Sequence, residues 1–297
     1  MIFTRGDLPS VLAVKNTLDK FASWSGLHAN ITKTDIFFGG VSKPVKDLIL
    51  EQTGFVKGQF PFRYLGIPLH SSRVAADVYG MLLSKVQCSV QHWSSNLLSY
   101  AGKIQLINSV IFGLETFWCS SVLLHKAIVK EINKLCKNFF WGTTDGQARM
   151  VHKSWKGICA SWEEGGFGIK ELISWNKALL LKLIWQHEQG TGGIWVQWTV
   201  RYNLAYHDFW DVRAKTFHAE SFRGLIQVRY ELIEIMGSHH GAKTALCTCV
   251  TGGRFSVARA YDLFRGKMPK LGWSKALNCS FLIPSHKVTT SLAAQRK

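Results

Sequence analysis

Apolar residues recur along the chain with two different periods. After Pro9-Ser10, Val11, Val14, Leu18 and Phe21 are spaced 3, 4, 3, which predicts an amphipathic helix that stops near Gly26. The run Asp35-Ile-Phe-Phe38, closed by Gly39-Gly40, predicts a short buried strand. A basic, glycine-punctuated stretch leads to Phe62-Arg-Tyr-Leu-Gly-Ile-Pro-Leu69, a second strand that Gly66 and Pro68 confine to a short or edge role. From about Val74 to Trp141 the period becomes helical. Leu97, Ala101, Ile104, Ile107 and Ile111 form one stripe, and Ile128, Ile132, Leu135 and Phe139 another. The turn residues of Gly142-Thr-Thr-Asp-Gly146 close this block.

A Trp-rich block follows from Val151 to Tyr206, with a strong helix around Trp175–His187. Beyond His207 the pattern is weaker. Thr251-Gly-Gly253 reads as a linker before a helix that begins in Phe255-Ser-Val-Ala-Arg-Ala-Tyr261. No internal repeat or low-complexity tract is visible. The fold class expected is mainly α with a small α+β part.

Composition adds a partner class. The 297 residues are 47% hydrophobic and 19% charged, an ordinary globular balance. Lys+Arg number 36 against 19 Asp+Glu, a formal net charge of +17, which points to a polyanion: nucleic acid or an anionic membrane surface. The membrane option is the weaker one. The most apolar stretch, Ala178–Trp185, carries Lys182 and is far below the ~20 residues of a bilayer span. The opening residues lack the layout of a secretory signal. Seven scattered cysteines read as reduced thiols in a nuclear or cytoplasmic setting.

Candidate chemistry is sparse. Lys126, Lys130, Lys134 and Lys137 fall on one helix face, roughly opposite the Ile128–Phe139 stripe. Such a helix can be held by one side and offer ammonium groups to a phosphate backbone with the other, although a merely solvated face has the same pattern. His239-His240 and Cys247-x-Cys249 lack the paired spacing of a structural zinc site. Gly165-Gly-Phe-Gly168 has no Lys-Ser/Thr after its last glycine, so a flexible connection is expected there. Two-metal phosphoryl transfer needs clustered carboxylates. The adjacent acids are Glu163-Glu164, read as a solvent-exposed loop.

Several segments, in order, resemble the reverse transcriptase of plant LINE-type (non-LTR) retrotransposons. Met1-Ile-Phe-Thr-Arg-Gly-Asp7 resembles the residues directly after that family's Asp-Asp box. Ser25-Gly-Leu-His-Ala-Asn-Ile-Thr-Lys33-Thr34 resembles the next palm motif, and Phe62–Leu69 the primer grip. Trp93-Ser-Ser-Asn-Leu-Leu-Ser-Tyr-Ala-Gly-Lys103 and Phe139-Phe-Trp141 resemble the helical thumb. His152-Lys-Ser-Trp155, Glu164-Gly-Gly-Phe-Gly-Ile169 and Trp175-Asn-Lys-Ala178 resemble the connection segment. Phe255–Leu263 resembles the start of the terminal zinc-binding domain.

The resemblance implies a palm remnant with primer grip at 1–72, a thumb at 73–146, a connection at 147–250 and the front of a zinc-binding domain at 251–297. It implies Lys33 as the proton-donor position. With the periodic reading, it makes Arg63, Tyr64, Leu65, Gly66, Lys103, Lys126, Lys130, Lys134 and Lys137 the candidate nucleic-acid contacts. The partner expected is RNA, DNA or an RNA–DNA hybrid. The family's catalytic aspartates would precede Met1 and its zinc ligands would follow Lys297. No cofactor or metal is therefore expected on this chain, although the complete enzyme uses Mg²⁺, and no polymerisation is expected from the chain alone. A helical interaction or structural protein whose basic surface serves no nucleic acid, and a relic without activity, are the alternatives.

Overall fold

A computed structural model describes residues 1–60, 62–64, 67–69, 77–94, 98–142, 153–204, 207–274 and 282–294. The protein is mainly helical, with three separate two-stranded sheets among the described residues. It divides into two compact units, Met1–Ser72 and Arg73–Lys297.

In the first unit, α1 (Leu8–Ser25) starts where the Asp7 carboxylate accepts the Ser10 N–H at 2.9 Å, and it ends at Gly26 in the left-handed conformation. This is the helix expected from the spacing, but its stripe is turned. Val11 and Ala22 are buried, whereas Phe21 is 53% exposed. Helix α2 (Lys43–Thr53), with Pro44 in its first turn and Gly54 as its left-handed cap, packs on α1. By its sequence alone this segment reads as part of a basic, glycine-punctuated stretch and not as a helix.

Strand β1 (Asp35–Ile36) is shorter than the expected Asp35–Phe38 and is not buried. Asp35 is exposed and Ile36 only half-buried. It pairs in parallel with β2 (Val56–Lys57). The Phe62–Leu69 run is two strands and not the single one its apolar pattern suggests, in keeping with the hairpin that its resemblance to a primer grip implies: β3 (Phe62–Tyr64) pairs antiparallel with β4 (Ile67–Leu69). Phe37 stacks on Phe62 with ring centres 3.9 Å apart, and Phe60 leans on both. A Cβ on Gly58 would come within 2.5 Å of the Phe37 ring, so any larger residue there has to displace that ring from its stack.

The second unit opens with α3 (Asp77–Ser94), α4 (Tyr100–Leu106), a π turn at Ile107–Ile111, α5 (Phe112–Cys119) and α6 (Lys126–Trp141). Ring contacts fix their directions. Tyr79 meets His125 at the start of α6 and Trp93 meets Phe139 near its end, so α3 and α6 run parallel. Tyr100 meets Phe140 while Trp118 meets Tyr79, so the α4–α5 segment returns antiparallel to both. Of the expected stripe, Ile104, Ile107 and Ile111 are buried and Ala101 is half-buried, while Leu97 lies outside the described residues.

After the short α7 (Trp155–Ile158) comes α8 (Leu172–Glu188), covering the helix expected at Trp175–His187. It is central. Ala178, Leu180, Leu181 and Ile184 are fully enclosed, and α5, α6, α10 and α12 all pack on it. The apolar Ala178–Trp185 run is therefore the axis of a core, and no described helix is long and apolar enough to cross a membrane.

Helix α9 (Ile194–Thr199) continues into a π turn at Val200–Leu204. The weak pattern beyond His207 conceals a long helix, α10 (Glu220–Met236), with seven buried residues, followed by α11 (His239–Thr248). Arg229 lies inside the α10 stripe and is 1% exposed. Its guanidinium donates to the Phe209 carbonyl and, at 2.8 Å, to that of Val212, pinning the 208–212 loop.

Thr251-Gly-Gly253 is a hairpin turn rather than a linker. β5 (Val250–Thr251) pairs antiparallel with β6 (Arg254–Phe255) around Gly252 and Gly253, both at positive φ, as a tight two-residue turn requires. α12 (Val257–Phe264) then lies on α8, and α13 (Pro284–Ala294) packs on α4.

Candidate nucleic-acid interface

Helix α6 is built to expose one side. Val129, Ile132, Cys136, Phe139 and Phe140 are buried, so Ile132 and Phe139 of the expected stripe lie in the core, while Val129 and Cys136 take the places of the half-buried Ile128 and Leu135. At about 100° per residue, Lys126, Lys130, Lys134 and Lys137 share roughly a quarter-turn, away from that stripe. Lys126, Lys130 and Lys134 are exposed and Lys137 is half-buried. Lys134 lies 3.8 Å from Glu131, an exposed pair worth only a few tenths of a kcal/mol.

What aims this helix is a residue that the spacing does not reveal. Asn176 of α8 is 1% exposed. Its amide nitrogen donates to the carbonyls of Cys119 (2.7 Å) and Val122 (2.9 Å), and its oxygen accepts the Leu124 N–H (2.8 Å). These three bonds clamp the turn from which α6 departs. At the same end, Tyr79 donates to Glu220 at 3.3 Å, and Glu220 is also 3.3 Å from His125.

The other candidate residues are distributed differently. Lys103 does not join the lysine stripe: its ammonium donates to the Phe140 carbonyl at 3.3 Å and lies over the Tyr100 and Phe139 rings. Lys33 is an exposed residue ending the 3-10 turn Ile31–Lys33. Arg63 and Tyr64 lie on β3, while Leu65 and Gly66 fall outside the described residues. These four and Lys33 belong to the first unit, the lysines of α6 to the second. Asp7, the acid of the opening Gly-Asp, is the α1 cap, and the Ser10 amide holds its carboxyl below the usual range.

A cleft of about 430 Å³ opens beside α12, lined by Cys159, Trp162, Lys170, Tyr261, Asp262 and Arg265, among others. Its Glu163, Asp262 and Arg265 are held in ion pairs. Glu164 is buried rather than in an exposed loop: it closes a capping box with Ser161 and takes the Arg265 guanidinium at 2.7 Å, while Arg265 also pairs with Asp262. Glu163 is exposed and pairs with Lys270. Lys170 rests on the Trp175 ring, 3.2 Å from its centre, and burial lowers its pKa. Burial, with Glu171 nearby, pushes the Cys159 thiol up to about 12, so it stays protonated and is no nucleophile. Tyr261 accepts the Glu171 N–H at 2.8 Å. The groups here form a polar joint between the 161–171 turn and α12.

The Gly165–Gly168 turn is part of that joint and not a flexible connection. The Gly166 N–H reaches the Ser161 carbonyl at 2.8 Å, and a Cβ at Gly166 would meet the Ala160 carbonyl oxygen at 2.0 Å. His239 and His240 open α11 and Cys247 and Cys249 end it. No cluster of three or more metal-ligating side chains exists among the described residues, and the six described cysteines carry no disulfide.

No family model matches the chain. A curated Arabidopsis thaliana protein, provisionally named a ribonuclease H protein, is 28% identical over 129 residues, 43% of this chain. The chain spans about a fifth of that relative's length, 21% by the matched residues. The similarity is to a plant protein, and the match extends over less than half of the present chain.

Proposed function

We propose that this chain is the nucleic-acid-holding part of a retrotransposon-type reverse transcriptase, gripping a template–primer duplex by its backbone phosphates through α6. The observation that carries the reading is the two-sided helix: Val129, Ile132 and Phe139 are sunk in the core while Lys126, Lys130 and Lys134 face solvent. A rigid helix with ammonium groups one turn apart suits a polyanion whose charges repeat along its axis. The formal charge of +17 supports the same partner, and so does the nucleic-acid-directed activity in the plant relative's name. In this reading Lys137 backs the exposed three, Arg63 and Tyr64 sit on a grip hairpin, and Lys33 keeps the proton-donor position of a polymerase motif. Mg²⁺ and zinc belong to the complete enzyme.

Such contacts neutralise phosphates without reading bases, so binding should ignore sequence and weaken steeply with salt. The test is a salt titration of binding to an RNA–DNA hybrid with the wild-type chain and with K126E/K130E/K134E. Charge reversal is expected to cost at least tenfold in affinity and to flatten the salt dependence. No affinity at low salt, or affinity that salt leaves unchanged, would show a basic surface serving some other end.

A further inference from the structure

The segment from α9 through its π turn has two apolar faces, and only one is used by the core. Inward, Val196, Thr199 and Leu204 are buried. There Thr199 Oγ1 lies 3.2 Å from His187 Nε2, and Trp195 meets the His187 ring at 5.6 Å. Outward, Ile194, Trp198 and Tyr202 follow one another at i, i+4 and i+8, and are 86%, 48% and 62% exposed. The Trp198 and Tyr202 rings lie 5.4 Å apart at a tilt of 36°. Between Glu188 and Asp208 the chain has no acidic residue, while Arg201, between the two aromatics in sequence, is exposed. π turns of this kind are rare and concentrate at functional sites.

Large rings left in water on a helix whose other face is locked make a preformed stacking platform. An exposed guanidinium and the lack of any carboxylate across 189–207 select an anionic partner with flat apolar faces. We propose that Trp198 and Tyr202 stack unpaired bases of a single-stranded nucleic acid, with Arg201 meeting the phosphate between them. This surface is distinct from the lysine face of α6. It recognises bases by their faces, where α6 would hold only charge, and it needs strand ends or single strands because a duplex hides those faces.

The experiment compares a short thymidylate oligomer with an abasic oligomer of equal length and charge, by anisotropy at low salt, using the full chain. Stacking of one or two bases predicts about tenfold tighter binding of the thymidylate. W198A/Y202A should erase that ratio without changing affinity for the abasic strand, while W198F/Y202F should retain most of it. K126E/K130E/K134E should weaken both oligomers alike and leave the ratio intact, which separates this proposal from the α6 reading. Equal affinity for the two oligomers, or a ratio that survives W198A/Y202A, would overturn it. So would sedimentation in which the wild-type chain self-associates and W198A/Y202A does not, because the face would then be an interface between copies.

Discussion

Arg265 reaches across 101 residues of sequence to place its guanidinium 2.7 Å from the Glu164 carboxylate, which is itself only 6% exposed. The pair joins the 161–171 turn to the end of α12, and Asp262 is a second carboxylate on the same guanidinium. Hydrogen bonds to Arg265 and to the Ser161 amide hold the Glu164 carboxyl below its usual range despite its burial. Removing one partner strands the other charge. R265A should therefore cost about 3 kcal/mol, measured by urea unfolding, and R265K less because it keeps a cation without the fork. A loss under about 0.5 kcal/mol would mean that water already screens the pair.

Asn176 should matter to both stability and binding. N176A removes three buried hydrogen bonds and leaves two carbonyls and an amide unsatisfied, at an expected cost of about 3 kcal/mol. Because those bonds set the exit of α6, affinity for an RNA–DNA hybrid should fall even below the melting range, although Asn176 is buried and cannot touch the ligand. Unchanged affinity in a folded N176A protein would show that α6 is aimed by other contacts.

His187 gives the fold an acid limit. Burial lowers its pKa from 6.5 to about 4 in the native state, where it sits among Trp195, Phe209 and Phe222. The unfolded chain takes up the proton more readily, so stability is full above about pH 6.5 and declines as the pH falls towards 4. The loss should approach 3 kcal/mol. His218, also lowered chiefly by burial, acts in the same direction. Urea midpoints measured across this range should fall more gently in H187Q than in wild type. Parallel curves would assign the acid sensitivity elsewhere.

Gly166 is a packing constraint and not a hinge. With its would-be Cβ 2.0 Å from the Ala160 carbonyl oxygen, G166A has to shift backbone and should lose roughly 3 kcal/mol. G190A, where nothing lies within 4 Å, meets only the cost of its positive φ and should lose less. A larger fall in melting temperature for G166A than for G190A shows that the clash outweighs the cost of a positive φ.

Single-helix features were legible in the sequence. The extent of α1, from Pro9-Ser10 to Gly26, and the presence of a helix over Trp175–His187 are legible in the sequence, although the α1 stripe is turned, and the lysine face of α6 follows from its spacing alone. Helix α2 escaped because Lys43, Lys46, Asp47 and Glu51 dilute its apolar face, and α10 because the buried Arg229 breaks its stripe. Gly252-Gly253 spells a linker and a tight hairpin with the same letters. The Asn176 clamp and the Glu164–Arg265 pair could not be read, since their partners lie some 50 to 100 residues away. The exposure of Trp198 and Tyr202 is not legible either, because at helical spacing exposed rings and core rings look alike.

The central place of α8 carries a consequence for synthesis. When Glu188 leaves the ribosome, α5 and α6 can already shelter one side of the helix, but α10 and α12 do not yet exist. The enclosure of Leu180, Leu181 and Ile184 is then complete only when Phe264 has emerged, some seventy-six residues later. At about 5–20 residues per second that interval lasts several seconds, long enough for a nascent chain to stick to its neighbours. Yield in cells should therefore depend on chaperones that bind nascent chains, and any truncation ending between α8 and α12 should accumulate as aggregate.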